Sequence, residues 1–292
     1  MNNERIKYLL LAPALILISV ITIYPLLNSF WISLHDWDLK KSVEMGDFVG
    51  IENYTRAFSD KYFWNSVFIT LVFVVSTVVI TLVLSFLVAL LLSGNSKFLQ
   101  FVRAIIIIPF AISPALVGYS WKFMLNPEYG LFHKIAGTLF PFLQDIVWLG
   151  TSFTSLLALI SVTVWIWLPF MSLMFISGLI GIPDEVYEAA KVDGATRLQT
   201  LYKITLPLMK PIILISSILM TMFTLKVFDP VVTLTQGGPG NSTEVLNFFI
   251  YKNAFRYFDM GYSAALGYIL AMITIVFVVI YMRKLSKGDD WS

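Results

Sequence analysis

The pattern that most invites a chemical reading is Glu188, Ala189, Ala190, Lys191, Val192, Asp193 and Gly194, followed after nine residues by Ile204, Thr205, Leu206 and Pro207. Its chemistry is docking. Pro183 suits a first helical position, where its missing N–H costs nothing. Val186, Ala189 and Ala190 then recur at i, i+3 and i+4 on one face, with Glu185, Glu188 and Lys191 around the rest. Gly194 can take a positive φ and end that helix. Thr196 with Gln199 reads as a capping box restarting the chain, Leu198, Leu201 and Tyr202 supply an apolar stripe, and Pro207 closes the second helix. The expectation is two short amphipathic helices joined by a glycine elbow, with both alanines exposed so that another protein can approach closely. Glu188 is placed to pair with a basic group on that protein.

Bond-making chemistry finds no such pattern. The apolar runs hold no paired carboxylates, no Ser–His arrangement and no metal cluster. His35 and His133 lie far apart, and each reads as a solvated or interfacial side chain. With no cysteine there are no disulfides and no thiolate zinc sites. No phosphate-binding G-x-x-x-x-G-K-[ST] occurs, and Gly94, Asn95, Ser96 and Lys97 form only a polar turn. No cofactor and no enzymatic activity are expected, and ATP has no motif to bind.

Polar groups inside apolar runs are costly and default to functional or packing roles. Ser216, Ser217, Thr221, Thr224, Lys226 and Asp229 belong to one such run, with Thr221 and Thr224 on one face. Two readings stay open for the threonines: a solute path, or hydroxyls that satisfy backbone carbonyls. Lys226 and Asp229 are spaced to pair across one turn, and an ion pair snorkelling to the outer interface is the plainer account. Trp165 and Trp167 suit stacking on the apolar face of a sugar, or packing between helices.

These residues need a membrane to position them. The chain is 58% hydrophobic and 13% charged, with a mean hydropathy of +0.81, whereas soluble chains carry roughly a quarter charged residues. A net charge of +2 gives no argument for nucleic-acid binding. Six stretches are long and apolar enough to cross a bilayer: 8–34, 67–92, 104–124, 153–180, 211–228 and 262–282. The first is too long for a signal peptide. Pro109, Pro114 and Pro169 fall within spans, where neighbouring helices must re-satisfy the freed carbonyls. With the N-terminus inside, 11 of the 20 Lys and Arg residues are cytoplasmic, a density roughly twice that outside. Both termini are then cytoplasmic. Trp31, Trp37, Tyr62, Phe63 and Trp64 mark interfacial belts around the first external segment. Residues 1–66 form an anchor helix and external segment, and residues 67–292 one transmembrane domain carrying the loop 181–210.

The spacing E-A-A, three residues, G, nine residues, I-x-L-P resembles the cytoplasmic-loop signature of membrane subunits of binding-protein-dependent ABC importers. Leu-Ala-Pro-Ala at 11–14, Ile-Tyr-Pro-Leu at 23–26, Phe-Val-Gly-Ile-Glu-Asn-Tyr at 48–54, the turn-rich Thr235 to Thr243, and Asp259 to Tyr262 resemble the carbohydrate-type permeases of that family. The resemblance covers nearly the whole chain. It implies an all-α, six-span, type I importer permease in a bacterial or archaeal inner membrane. It also implies partners: a second homologous permease, two copies of an ATPase docking on the 181–210 loop, and an extracellular solute-binding protein. Glu188, Ala189, Ala190, Asp193, Gly194, Ile204, Leu206 and Pro207 become the coupling residues. The face of the fifth span lines the path in related sugar permeases, and Thr224 matches a polar position there. ATPase closure would move the Glu188–Gly194 helix and with it spans four and five. An autonomous secondary transporter should show intramembrane acids or an inverted repeat, and neither is seen. A glycerol-phosphate cargo would want Arg in the path, and the span centres hold none.

Overall fold

The structure is a computed structural model describing residues 3–286, with side chains over residues 11–283. Lys287, one of the 11 Lys and Arg residues counted as cytoplasmic, lies outside the described residues. The chain opens with α1 (Asn3–Ile18) and α2 (Tyr24–Ser33), joined by a π turn at Ser19–Ile23. There follow α3 (Glu52–Ser59), α4 (Lys61–Leu92), α5 (Lys97–Ile106), α6 (Ile108–Ala111), α7 (Pro114–Met124) and α8 (Leu131–Leu139). The second half holds α9 (Ser152–Ile180), α10 (Asp184–Val192), α11 (Arg197–Thr200), α12 (Leu206–Leu225), α13 (Leu246–Tyr251) and α14 (Met260–Ser286). No strand occurs among the described residues; there are only isolated bridges at His35–Phe48 and Asp38–Asp259. The fold is all-α, as the composition requires of a chain that must satisfy its peptide groups within each span.

Five helices are long and apolar enough to cross a membrane: Leu11–Ser33, Lys61–Leu92, Ser152–Ile180, Arg197–Leu225 and Met260–Arg283. The expected third span is different. It is a pair, Lys97–Ala111 and Pro114–Met124, bent by 93°. Ser113 precedes Pro114, and the proline ring excludes it from the helical region; Ile112 and Ser113 take ψ of 139° and 128°. The fifth span also differs, beginning at Arg197 instead of near Pro211.

The chain divides into two compact units, Met1–Trp64 with Phe249–Met272, and Asn65–Phe248 with Ile273–Ser292. In the first, the external segment is sewn to the start of α14. Met260 N–H donates to the Trp37 carbonyl at 2.8 Å, and Leu39 N–H to that of Phe258 at 2.9 Å. Buried Asn53 donates to the carbonyls of Ser33 and His35, both at 2.9 Å, finishing the first span. Arg56 pairs with Asp259 at 2.8 Å and lies 4.1 Å over the Tyr262 ring. The Tyr262 hydroxyl donates to Asp60 at 3.0 Å. Phe63 is buried here, so it belongs to the core and not to the interfacial belt. His35 is also buried, which excludes the solvated reading and leaves the interfacial one. Its Nδ1 lies 2.8 Å from the Trp31 carbonyl, an acceptor only, so this nitrogen carries the hydrogen.

The second unit holds the core of the spans. Arg103 Nε donates to the Leu92 carbonyl at 2.8 Å, pairing a group that the end of α4 leaves free. Gly178 lets α9 meet α12, since a Cβ there would sit 2.3 Å from Ile212 Cδ1. The loop 235–243 is the tight turn expected: Gly237 and Gly240 have positive φ, and the Thr243 hydroxyl lies 2.9 Å from the Gly238 carbonyl. His133 is buried, with Nδ1 unpartnered, which again departs from the solvated reading.

Two glycines of α14 separate close approach from helix propensity. A Cβ at Gly261 would fall 2.1 Å from the His35 carbonyl oxygen, while one at Gly267 meets nothing within 4 Å. Gly261→Ala should therefore lower the midpoint of thermal unfolding in detergent. Gly267→Ala should raise stability by roughly 0.5–1 kcal/mol, because alanine is the better helix former. Equal shifts of the same sign would contradict this account.

Candidate functional site

The site is built from the end of α9, the whole of α10 and the start of the fifth span. Gly181 ends α9, and Pro183, with φ −59° and ψ 140°, is the residue before α10. Proline thus precedes the first helical position by one residue, its extended ψ turning the chain. Asp184 and Glu185 occupy the first turn and Lys191 the last, each favourable to the helix dipole.

The inward face of α10 is Val186, Tyr187 and Ala190. Val186 and Tyr187 pack against a core that includes Leu92, Phe175, Leu179, Ile182 and Met209. The Tyr187 hydroxyl lies 3.4 Å from that of Thr205. Ala190 is buried at 5% exposure while Ala189 is exposed. One alanine therefore faces the spans and one faces solvent, where the spacing argument turned both outward. Glu188, Ala189 and Val192 make up the outward face, with Val192 at 87% exposure.

The elbow is a Schellman motif. Ala195 N–H donates to the Ala190 carbonyl at 2.9 Å and Gly194 N–H to that of Lys191 at 3.1 Å, with Gly194 at φ 74°. Asp193 is the residue that closes α10 ahead of it. The chain restarts through the capping box: Gln199 N–H donates to the Thr196 hydroxyl at 3.3 Å, and Thr196 N–H to the Gln199 side chain at 2.8 Å. Leu198 and Tyr202 then project outward at 67% and 66% exposure.

Pro207 does not close this second helix. The helix widens into a π turn at Leu201–Thr205, where Leu206 N–H reaches the Leu201 carbonyl, and continues as α12. The wider turn absorbs the proline that a regular turn would not accommodate without a lost bond and a clash. Ile204 and Leu206 are partly buried, Pro207 exposed. The second arm of the elbow is thus the amino-terminal end of a membrane span.

The candidates within the spans separate. Thr224 is 1% exposed and its hydroxyl donates to the Met220 carbonyl at 2.6 Å. Thr221 donates to the Tyr281 hydroxyl at 3.3 Å. Both hydroxyls are used internally, so neither faces an open path in this conformation. Lys226 and Asp229 form no ion pair among the described residues, because α12 ends at Leu225 and Lys226 already departs from helix. Asn247 instead donates to the Lys226 carbonyl at 3.0 Å. Trp167 stacks on Phe223 with centroids 4.2 Å apart, so one ring face is occupied. Trp165, about 200° away on the helix, keeps 37% exposure and meets Trp121 edge-on at 6.0 Å.

Sequence reasoning missed a row of hydroxyls on α4. Ser66, Thr70, Thr77, Thr81 and Ser85 are all buried. Their spacing on one helical face was the available signal. Ser85 donates to the Leu168 carbonyl at 3.1 Å and Thr70 accepts from Leu246 N–H at 2.8 Å. Among the described residues no group of three or more His, Cys, Asp or Glu side chains is placed to hold a metal ion.

A family model described as "Binding-protein-dependent transport system inner membrane component" matches residues 67–287. The trehalose/maltose transport system permease protein MalF of Thermococcus litoralis is 35% identical, over 97% of this chain and 94% of that one. The sulfoquinovosyl glycerol transport system permease protein SmoG of Agrobacterium fabrum is 32% identical, over 99% and 93%. A chain from the crystal structure of a bacterial alginate ABC transporter, in complex with an alginate pentasaccharide-bound periplasmic protein, superposes with a TM-score of 0.80. It is 21% identical and covers 95% of this chain and 93% of its own length, a likeness of fold.

Removing the capping hydroxyl tests the local frame. Thr196→Ala should cost about 1 kcal/mol, confined to the first turn of α11. Amide exchange should quicken at residues 197–199 and stay unchanged across α10; quickening that spreads into 184–192 would mean the two arms unfold together.

Proposed function

This chain belongs to the family of binding-protein-dependent transport system inner membrane components, and from that premise we propose that it is the permease subunit of an ABC importer for a carbohydrate. The observation that carries the reading is α10, a short helix with one face packed on the ends of the spans and the other offering Glu188 beside exposed Ala189. The printed names of the relatives support a carbohydrate cargo, since they handle trehalose, maltose and sulfoquinovosyl glycerol. The chain supplies a path and a mechanical contact, and ATP hydrolysis resides on partners.

The partners are a second homologous permease, two ATPase copies that receive the outward face of α10, and an extracellular solute-binding protein. Glu188 and Ala189 touch the ATPase. Ala190, Asp193 and Gly194 hold the helix in place, and Ile204, Leu206 and Pro207 carry its movement into the fifth span. Residues 1–66 form an anchor and external segment and residues 67–292 the transport domain, with both termini cytoplasmic. Within the spans, the proposal for solute contact narrows to Trp165, Lys226 and Asp229, which keep exposed surface.

Gly194 has nothing within 4 Å of a built Cβ, so a substitution there strains the backbone alone. Gly194→Val should cost roughly 1–2 kcal/mol and tilt α10. The subunit should reach the membrane yet lose solute-stimulated ATP hydrolysis, with weaker retention of the ATPase. Glu188→Ala should show a milder form, since it removes one contact and leaves the backbone of α10 and its elbow in place. If both variants transport normally and hold the ATPase at full strength, the loop is a connector only. Trp165→Ala should raise the solute concentration for half-maximal uptake without changing ATPase retention; unchanged uptake would assign Trp165 to packing.

A further inference from the structure

Behind α10 lies a cavity of about 750 Å³ lined by both apolar and charged side chains. Leu90, Leu179 and Ile180 supply an apolar side, while Lys191, Arg197 and Asp184 supply charge. Leu90 stands in the last turn of α4, and Leu179 and Ile180 are the last residues of α9. The cavity therefore lies where two membrane spans run out of apolar sequence, the depth at which hydrocarbon gives way to headgroups. Lys191 and Arg197 form no ion pair among the described residues, so Asp184 neutralises neither by contact.

Two free cations beside an apolar wall at that depth match an amphiphile carrying a phosphate. We propose that this cavity binds an anionic phospholipid, its phosphate between Lys191 and Arg197 and its upper acyl chain against Leu90 and Ile180. This rests on the reading of 181–210 as a loop at the cytoplasmic membrane surface. A free phosphate would satisfy the cations and leave the apolar wall uncovered, so the lipid is the better fit. Lys191 belongs to α10 and Arg197 to α11, one on each side of Gly194. A bound headgroup would bridge the two arms of the elbow and make coupling depend on lipid composition.

The test uses the chain purified with the subunits that accompany it, in nanodiscs of phosphatidylcholine with increasing phosphatidylglycerol. Lipid retained after transfer to detergent is counted by native mass spectrometry. Phosphatidylglycerol should be retained over phosphatidylcholine, and Lys191→Gln or Arg197→Gln should each lower that retention about fivefold. Lys203→Gln, a cation of the same loop that does not line the cavity, should leave it unchanged. Full selectivity in the Lys191→Gln/Arg197→Gln double variant would overturn the site. Displacement of phosphatidylglycerol by excess inorganic phosphate, without change of detergent, would overturn the lipid and leave a soluble phosphate as the ligand. Retention is read without ATP, so loss of lipid selectivity alone leaves the transport reading intact. Failure of ATPase docking alone would overturn that reading and not the site.

Discussion

A peptide group has nowhere in a bilayer to find water, and most of the architecture follows from that constraint. The spans are long helices because only a helix satisfies its own backbone within one segment. Hydroxyls placed within a span are satisfied by the helix's own carbonyls. Thr224 returns its hydroxyl to the Met220 carbonyl, Ser217 to that of Ile213 and Thr163 to that of Leu159. Some prolines are admitted only where the helix widens or breaks. A π turn precedes Pro207, and the prolines at 109 and 114 flank a break where the chain leaves the helix altogether. Several polar side chains in the spans are therefore backbone partners, while Ser66, Thr77 and Thr81 on α4 are buried without a hydrogen-bond partner.

The same economy shapes α10. Nine residues are too few to be stable as an isolated helix, so α10 depends on Val186, Tyr187 and Ala190 being held against the ends of the spans. Its outward face is correspondingly free of structural duty. That division explains why adjacent alanines have opposite roles. Ala190 is buried in this chain, whereas Ala189 is small on a surface where nothing among the described residues requires it.

Much of this was legible in the sequence, where single residues have few options. Gly194 as a left-handed stop, the Thr196–Gln199 box and the long apolar runs are local, and local chemistry decided them. The failures come from information the local pattern lacks. Pro207 reads as a terminator unless the preceding turn is known to widen. The helical period could not tell which of two neighbouring alanines faces the core. His35 looked solvated because nothing in its neighbours announces that the Trp31 carbonyl is within reach, and Lys226 and Asp229 were paired on a helix that stops one residue too soon. The third span was drawn straight through Pro114, although the residue before a proline resists helix. Coupling and path assignments rest on more than pattern, since the fold positions α10 but a partner must complete the contact.

The continuity of Arg197–Leu225 gives the fifth span a mechanical property of its own. At 29 residues and about 1.5 Å per residue, it is a rod of roughly 43 Å. A rotation of about 5° imposed at the Thr196 end carries the far end sideways by roughly 4 Å, close to the diameter of a methyl group. A terminator at Pro207 would have made that joint a hinge and dissipated the rotation. Because the π turn continues the ladder without cutting it, Arg197–Leu225 is one uninterrupted rod, and the displacement at its far end is set by length.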